Sequence, residues 1–364
     1  MDQQDNKVLG PEPKDSSLYR RSVLLETLTK HRNANLALNP ASSQESPPNL
    51  RVHHLHDPVD DDLELVRSGI SAAQPWLHPK FFYDARGSAL FDAITATPEY
   101  YPTRTEAAIF ARHIDEMLAY VDDRTVLVEP GSGNCDKALT LLRNEKLTHY
   151  APIEISRDFL VECCRRLASS RPNLLVDAIC GDFTRSHLLP DSIPDEGRLI
   201  FFPGSTIGNF DPQHAQALLH NFRGLAGPSG GHLLIGTDLP KDQATLEAAY
   251  NDAQGFTAQF NLNMLVHLNQ RLDCRFLPED FAHKAFYNAD LGRIEMHLVC
   301  KRDTPVRVGE DQLTLAAGQS IHTESSYKYA PNAFLELAQG AGFEPVAHWT
   351  DPKDWFAVHL MRAV

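Results

Sequence analysis

Between residues 126 and 238 the chain alternates short apolar runs with segments that repeat apolar positions at helical spacing. Such runs, bounded by glycine or polar residues, indicate buried strands. The predicted strands are residues 126–129, 150–155, 174–180, 199–203 and 233–238, and the predicted helices between them are 136–143, 156–168 and 212–225. Strands joined by helical crossovers predict a mostly parallel α/β sheet, which binds ligands at the carboxyl ends of its strands.

The pattern is different on either side of this core. Upstream, helices are predicted at 79–90, 91–97 and 105–120; downstream, helices at 242–255 and 259–272 precede strands at 285–288, 293–302, 312–316 and 320–324, a helix at 331–342 and a strand at 355–361. The predicted domains are therefore a polar extension over 1–49 with a composition typical of disorder and one helix at 17–32, a helical part over 50–122, the core over 123–240, a cap over 241–355, and a last strand over 356–364 that returns to the core.

A glycine-rich turn follows the first predicted strand of the core. It reads EPGSGNCDK over residues 129–137, with glycines at Gly131 and Gly133. Dinucleotide-binding turns have a third glycine where this chain has Asp136. A carboxylate in the first helical turn would also repel a diphosphate. If this segment is a cofactor loop rather than a plain tight turn, it favours a nucleoside without phosphates, such as S-adenosylmethionine, over a nicotinamide dinucleotide.

Polar residues at the ends of the next two strands fit the same kind of cofactor. Glu154 ends the strand about 20 residues after the turn, where a carboxylate binds a ribose diol. Asp182 and Phe183 offer an acceptor for an exocyclic amine and a flat face for a base. The alternatives are a solvated charge at Glu154 and an ordinary turn aspartate at Asp182.

Composition limits the partners. A formal net charge of -14 argues against nucleic acid and against an anionic membrane surface, and it favours a small-molecule substrate. The chain has no apolar run long enough for a bilayer and no secretion signal at its amino terminus, and we expect a cytoplasmic monomer. Its six scattered cysteines predict reduced, buried thiols. No metal site is expected, and His53, His54 and His56 are interpreted as a solvated face.

From about residue 81 to the carboxyl terminus, the sequence resembles the histidine Nα-methyltransferases of ergothioneine biosynthesis and their fungal tryptophan-methylating relatives. The strings that carry the resemblance are YDARGS (83–88), PEYYPTR (98–104), EPGSG (129–133), GDFT (181–184), GSTIGN (204–209), GTDL (236–239), IEM (294–296) and TESS (323–326). The resemblance implies a Rossmann-like S-adenosylmethionine-dependent methyltransferase sheet with an α+β substrate-binding cap. It also implies up to three methylations of the α-amino group of L-histidine, giving trimethylhistidine (hercynine).

The resemblance further implies a set of site residues. S-adenosylmethionine would be bound by Gly131, Lys137, Glu154, Asp182 and Phe183. Catalytic positions beside the amine would be Tyr83, Gly204 and Thr206, and the substrate would contact Tyr100, Asn209, Tyr250, Thr257, Met296, Glu324 and Ser326. Asn209 and Tyr250 would hold the carboxylate, whereas Glu324 and Ser326 would bind the imidazole. Positions i and i+2 of a strand share a face, so the last two can meet one small ring.

The chain departs from the family pattern at a few positions. It has Pro130 before the glycine turn, Glu154 where aspartate is frequent, Ser205 where a second glycine is common, and Arg293 where an aromatic residue often precedes the IEM string. Because no strong base is evident near the amine, water-assisted deprotonation is expected. Two alternatives stay open. One is an Nα-methyltransferase for another amino acid, such as tryptophan or a histidine derivative, and the other is a non-catalytic S-adenosylmethionine-binding relative.

Overall fold

A computed structural model of the protein describes residues 47–55, 61–185, 189–228 and 230–364. The predicted helix at 17–32, most of the predicted extension and His56 lie outside the described residues.

The strands and helices follow in chain order. The strands are β1 (Leu50–His54), β2 (Val126–Pro130), β3 (His149–Glu154), β4 (Leu175–Cys180), β5 (Arg198–Phe202), β6 (His232–Asp238), β7 (Cys274–Arg275), β8 (Phe281–Asn288), β9 (Arg293–Cys300), β10 (Thr304–Val308), β11 (Asp311–Leu315), β12 (Ser320–Tyr327), β13 (Phe343–Thr350) and β14 (Phe356–Ala363). The helices are α1 (Asp62–Ile70), α2 (Ala85–Thr95), α3 (Tyr101–Met117), α4 (Ala138–Leu141), α5 (Arg157–Ser170), α6 (Pro212–Leu225), α7 (Gln243–Ala248), α8 (Phe256–Arg271) and α9 (Pro331–Gly340). Short 3-10 turns lie at Pro79–Phe82, Leu118–Tyr120, Thr206–Asn209 and Pro278–Asp280.

The large sheet has the order β1-β4-β3-β2-β5-β6-β14-β13. Neighbours from β1 to β6 are parallel, whereas β14 pairs antiparallel with β6 and β13 antiparallel with β14. The direction of chain progression reverses between β2 and β5. The predicted α/β class is thus confirmed, and the crevice at the carboxyl ends of β2 and β5 is where this class of sheet binds its ligand.

Helices cover both faces of this sheet, which explains why β2 and β5 are apolar and buried along their whole length. On one face, Phe110 of α3 and Leu160 of α5 pack in one cluster with Phe201 of β5. On the other face, Phe222 of α6 and Phe334 of α9 pack in one cluster with β5 residues. All six cysteines are buried free thiols, as predicted.

Two smaller antiparallel sheets, β12-β9-β8 and β11-β10-β7, form the α+β region that the sequence predicts as a cap. Helix α8 packs against this region through a third apolar cluster, which includes Phe81, Phe260 and Ile294. Every helix within the described ranges falls short of the length and apolarity that a membrane crossing requires.

Some elements differ from the prediction. Residues 50–54, placed in a helical part, form edge strand β1, which pairs with β4. Residues 331–350, placed in the cap, form α9 and β13, which pack on the large sheet. Helix α4 is shorter than predicted and begins after Asp136, so this carboxylate precedes the helix instead of lying in its first turn. The division into 50–122, 123–240, 241–355 and 356–364 otherwise stays a prediction.

Candidate active site

The glycine turn after β2 has a backbone that favours glycine at two positions. Gly131 has a φ of +68° and Gly133 a φ of +52°, both in the left-handed region. A Cβ atom on Gly131 would lie 3.0 Å from Cε1 of Phe183. The N–H of Gly133 donates to Oε2 of Glu154 at 3.1 Å. The turn, the carboxylate at the end of β3 and the aromatic ring after β4 therefore form one cluster.

The two predicted cofactor carboxylates are fixed by backbone donors. Oε1 of Glu154 accepts hydrogen bonds from the N–H groups of Ile155 at 2.8 Å and Ser156 at 3.2 Å. Oδ1 of Asp182 accepts from the N–H of Thr184 at 2.9 Å and from its hydroxyl at 2.6 Å. Oδ2 of Asp182 also lies 3.6 Å from Nε of Arg185, so this carboxylate is held from both sides.

A buried carboxylate on α3 joins the two sides of the crevice. Oε1 of Glu106 accepts from the N–H of Gly204 at 2.6 Å, and Oε2 accepts from Nζ of Lys137 at 3.2 Å. Gly204 has a φ of +83°, and a Cβ atom there would lie 2.4 Å from Nζ of Lys137. Glycine at this position thus leaves room for the ammonium next to the glycine turn.

The turn after β5 explains one departure from the family pattern. Ser205 has a φ of +57°, where glycine would be unstrained, but its Oγ accepts the N–H of Asp238 at 2.8 Å. The hydroxyl of Thr206 donates to the carbonyl of Pro203 at 3.1 Å. Asn209 ends this 3-10 turn, and a Cβ atom on Gly208 would lie 2.7 Å from the carbonyl oxygen of Tyr327. Asn209 is therefore placed where the large sheet meets β12.

A row of aromatic rings leads from the amino-terminal helices toward the cap. The ring centroids of Tyr83 and Phe91 are 6.1 Å apart, those of Phe91 and Tyr100 are 6.3 Å apart, and those of Tyr100 and Tyr250 are 6.2 Å apart. Phe260 of α8 lies 5.9 Å from Tyr83. Thr257, buried one turn earlier on the same helix, is thereby brought to this row.

Glu324 and Ser326 share one face of β12. Glu324 pairs with Met296 of β9 and Ser326 with Ile294, after a register shift that follows His322. The hydroxyl of Tyr250 donates to Oγ of Ser326 at 2.8 Å. The structure therefore brings the two predicted ring-binding residues together with Met296 and Tyr250.

Arg293 and Glu295 alternate with Ile294 and Met296 along β9, so they lie on the opposite face of the strand. The guanidinium of Arg293 contacts Oε1 of Glu295 at 2.7 Å and donates to the hydroxyl of Tyr327 at 2.6 Å. Arg293 is consequently directed away from the face that carries Glu324 and Ser326.

The electrostatics place Tyr83 between the two halves of the site. Burial raises the pKa of Glu324 to about 7, while the nearby charge of Lys328 opposes the rise. The pKa of Tyr83 is raised by desolvation of its hydroxyl, then by Glu324 and by Glu154. The residue as a whole is 48% exposed. Its two carboxylate neighbours belong to the predicted ring site and the predicted ribose site.

Comparisons with known proteins agree with this geometry. Residues 61–363 match the model of a family described as histidine-specific methyltransferase, SAM-dependent. The chain belongs to this family. It is 42% identical over 303 residues to a histidine N-alpha-methyltransferase of Mycolicibacterium smegmatis, a match that covers 81% of this chain and 92% of that protein.

Two further relatives of this methyltransferase are similar over most of its length. The histidine N-alpha-methyltransferase of Mycobacterium tuberculosis is 39% identical over 302 residues, which cover 81% of this chain and 92% of that protein. Ergothioneine biosynthesis protein 1 of Neurospora crassa is 30% identical over 288 residues, which cover 77% of this chain and 32% of that longer protein. The resemblance stated from the sequence is confirmed.

Three charged residues that the sequence analysis did not assign to the site lie next to the predicted site residues. Glu106 is 3% exposed and Asp238 is 1% exposed, and both lie next to predicted site residues. Lys328 follows the TESS string, and its side chain is fully buried. The only sequence signal for Glu106 is a carboxylate on the apolar side of α3, which a helical projection would have revealed.

The histidine clusters have protein partners. His53 was interpreted as part of a solvated face, but its Nε2 lies 2.6 Å from Oδ1 of the buried Asp177, so that interpretation is wrong for His53.

A second cluster consists of Glu295, His297 and His322, which offer ligand atoms within 4.8 Å of one another. The carboxylate of Glu295, however, already contacts Arg293 and His297. That this chain uses no metal stays a prediction.

Proposed function

We propose that this protein transfers methyl groups from S-adenosylmethionine to the α-amino nitrogen of L-histidine, up to three times. The observation that carries the proposal is the placement of Glu324 and Ser326 on one face of β12, next to Tyr250, which is the last ring in the row of aromatic rings. A neutral imidazole has one N–H and one bare nitrogen, and this pair offers a carboxylate acceptor and a hydroxyl.

The crevice residues fit S-adenosylmethionine. Glycine at 131 leaves open a space that a Cβ atom would narrow against Phe183. The carboxylates of Glu154 and Asp182 are acceptors of the kind that a ribose diol and an exocyclic amine require. The ammonium of Lys137 suits the methionine carboxylate. When bound, this cofactor supplies a methyl group on a sulfonium, so the protein need not provide an acid for the leaving group.

The protein's own task is to align an unprotonated amine, and alignment can contribute about 7 to 11 kcal/mol in favourable cases. Burial and the carboxylates of Glu324 and Glu154 raise the pKa of Tyr83, so its phenol keeps its proton near neutral pH. Tyr83 therefore orients the amine together with Gly204 and Thr206, and the amine loses its proton to water. Asn209 holds the carboxylate. Tyr250, whose hydroxyl donates to Ser326, lines the wall together with Tyr100 and Thr257.

A protein of this kind acts on a free small molecule. The net charge of -14 supports the absence of a nucleic-acid partner. We further propose that the protein is a monomer and works in the cytoplasm.

The pH dependence of histidine use tests the role of Glu324. Its ionised form accepts the ring N–H in a charge-assisted hydrogen bond, which is stronger than the bond to the protonated acid, and burial raises its pKa to about 7. We therefore expect kcat/KM for histidine to fall as the pH drops through about 7. Free histidine also titrates at its ring, so the Glu324→Gln variant serves as control, and it should show only the substrate's own titration. Identical acid limbs in both proteins would contradict this role.

Substitution of Glu106 tests whether its contact with Lys137 contributes to binding of the cofactor. In Glu106→Gln, one amide atom can still accept from Gly204, but the ammonium of Lys137 loses its charged partner. Because Lys137 is half-exposed, we expect a loss of about 1 kcal/mol, or roughly a fivefold higher KM for S-adenosylmethionine. The KM for histidine should stay the same. Glu116→Gln, an exposed change on the same helix, is the matched control; equal effects of both variants would count against the assignment.

Mass spectrometry after incubation with S-adenosylmethionine and each proteinogenic amino acid separately tests the proposed reaction. We expect mono-, di- and trimethylated products from histidine. Methylation of tryptophan in preference to histidine would replace the substrate assignment, and cofactor binding without any product would indicate a non-catalytic relative.

A further inference from the structure

Lys328 is a lysine whose side chain is fully buried where β12 leaves the cap. Its Nζ lies 2.7 Å from Oδ2 of Asp238 and donates to Oγ of Ser326 at 2.8 Å and to the hydroxyl of Tyr250 at 3.3 Å. An ammonium has three N–H donors, and each has a partner here. Because a buried charge is tolerated only when it is paired and hydrogen-bonded, these contacts fix the position of Nζ.

The anchor of Lys328 belongs to the large sheet. Asp238 ends β6, its backbone carbonyl accepts the N–H of Tyr329 at 2.9 Å, and its side chain also accepts from the hydroxyl of Tyr101. Lys241 forms a second ion pair with the same carboxylate. Lys241 otherwise contacts Tyr101 and the carbonyl of Leu239, so of these two ammonium groups it is Lys328 that contacts Ser326 and Tyr250.

We infer that Lys328 is a positioning residue for the amino-acid substrate: one buried ammonium, anchored on Asp238, fixes the adjacent hydroxyls of Ser326 and Tyr250 at the ring end of the site. This inference rests on the proposed function. It deepens that function because it explains how Ser326 of the cap and Tyr250 are held in register with the large sheet.

The hydrogen-bond pattern also gives Lys328 a part in the preference for a neutral imidazole over an imidazolium. Oγ of Ser326 accepts from both Lys328 and Tyr250, which occupies its two acceptor sites and leaves its own O–H to donate. That donor matches the bare nitrogen of a neutral imidazole, while Glu324 accepts the ring N–H. An imidazolium has two N–H donors and no acceptor, so one of its donors would face the Ser326 hydroxyl proton.

Removal of the ammonium should also change the titration of Glu324. The titratable groups that face this carboxyl are Lys328, Tyr83, Tyr100 and Tyr250, and Lys328 is the cation among them. His322, on the same strand, contacts the backbone carbonyl of Glu324. Loss of the charge at 328 therefore raises the pKa of Glu324, and the acid limb of kcat/KM for histidine moves to higher pH.

The test compares Lys328→Met with Lys241→Met, since each removes one ammonium from Asp238 and keeps an unbranched side chain. Calorimetric binding of histidine in the presence of S-adenosylhomocysteine, steady-state kinetics and pH profiles are measured on the full chain. For Lys328→Met we expect at least a roughly tenfold weaker Kd and higher KM for histidine, an acid limb at higher pH, and an unchanged KM for S-adenosylmethionine. For Lys241→Met we expect wild-type histidine affinity and a wild-type acid limb.

Lys328→Gln separates donation from charge and provides a second variant should the methionine variant fold poorly. It keeps an N–H donor for Ser326, so histidine affinity should recover in part while the acid limb stays at higher pH. Equal losses of histidine affinity in Lys328→Met and Lys241→Met, or an unmoved acid limb in both Lys328 variants, would overturn the inference and leave the proposed function intact. A wild-type protein that neither binds nor methylates histidine would overturn both.

Discussion

Replacing Glu324 by alanine raises the KM for histidine roughly 10- to 150-fold, because the ring N–H loses a charged acceptor worth about 1.5 to 3 kcal/mol. Glu324 lies opposite Met296 on the face of β12 that also carries Ser326, and burial raises its pKa to about 7. The pocket left by alanine is less polar, so we also expect discrimination against tryptophan to decrease. Initial rates with both amino acids, at saturating S-adenosylmethionine, measure the two effects.

The matched control for Glu324→Ala is Ser325→Ala. Ser325 is the next residue on β12, but it pairs with Glu295 on the opposite face, and its hydroxyl contacts His322. This variant should keep a KM for histidine close to that of the wild type. Unchanged histidine kinetics in Glu324→Ala would eliminate Glu324 as the residue that binds the ring.

Glu154→Ala is expected to have the largest effect on the cofactor. The variant loses the charged acceptor for the ribose diol and also the carboxylate that accepts the N–H of Gly133. At about 1.5 to 3 kcal/mol for a charged hydrogen bond, the KM for S-adenosylmethionine should rise roughly 10- to 150-fold, while the KM for histidine changes little.

Glu154→Asp is the control, since it keeps a carboxylate at this position and should retain most of the cofactor affinity. A competition assay with S-adenosylhomocysteine and its 2′-deoxy analogue separates diol binding from ordering of the turn. The wild type should prefer the hydroxylated compound, and Glu154→Ala should lose this preference. If both proteins discriminate equally, Glu154 orders the glycine turn and does not bind the ribose.

The sequence predicted the secondary structure best in elements whose residues are buried along most of their length. Strands β2 to β6 and helix α6 lie close to their predicted bounds, because central parallel strands are apolar along their length and α6 begins at a capping Asp211 followed by proline. The two edge strands of the large sheet, β1 and β13, were missed. In β13 half of the side chains are exposed and a proline interrupts the strand, and β1 alternates apolar residues with Arg51 and His53.

The predicted site residues are brought together by elements far apart in sequence, and their clustering could be inferred only from the strand-end rule and from the family resemblance. Glu106 and Lys328 could not have been found in the same way. Each is a charged residue whose partners lie on other elements: Lys137 and Gly204 for the first, Asp238 and Tyr250 for the second. A helical projection of α3 places Glu106 on the apolar side but does not show its partners, and Lys328, which follows β12, has no such signal.

The central claim is that the substrate amine and Tyr83 lie between the imidazole at Glu324 and the adenosyl group at Glu154. A crystal structure of the protein with S-adenosylhomocysteine and histidine tests it most directly. We predict the ring nitrogens within hydrogen-bond distance of Glu324 and Ser326, the α-amino group beside Tyr83, and the ribose at Glu154. A ring directed away from Glu324, or adenosine outside the turn at Gly131, would contradict it.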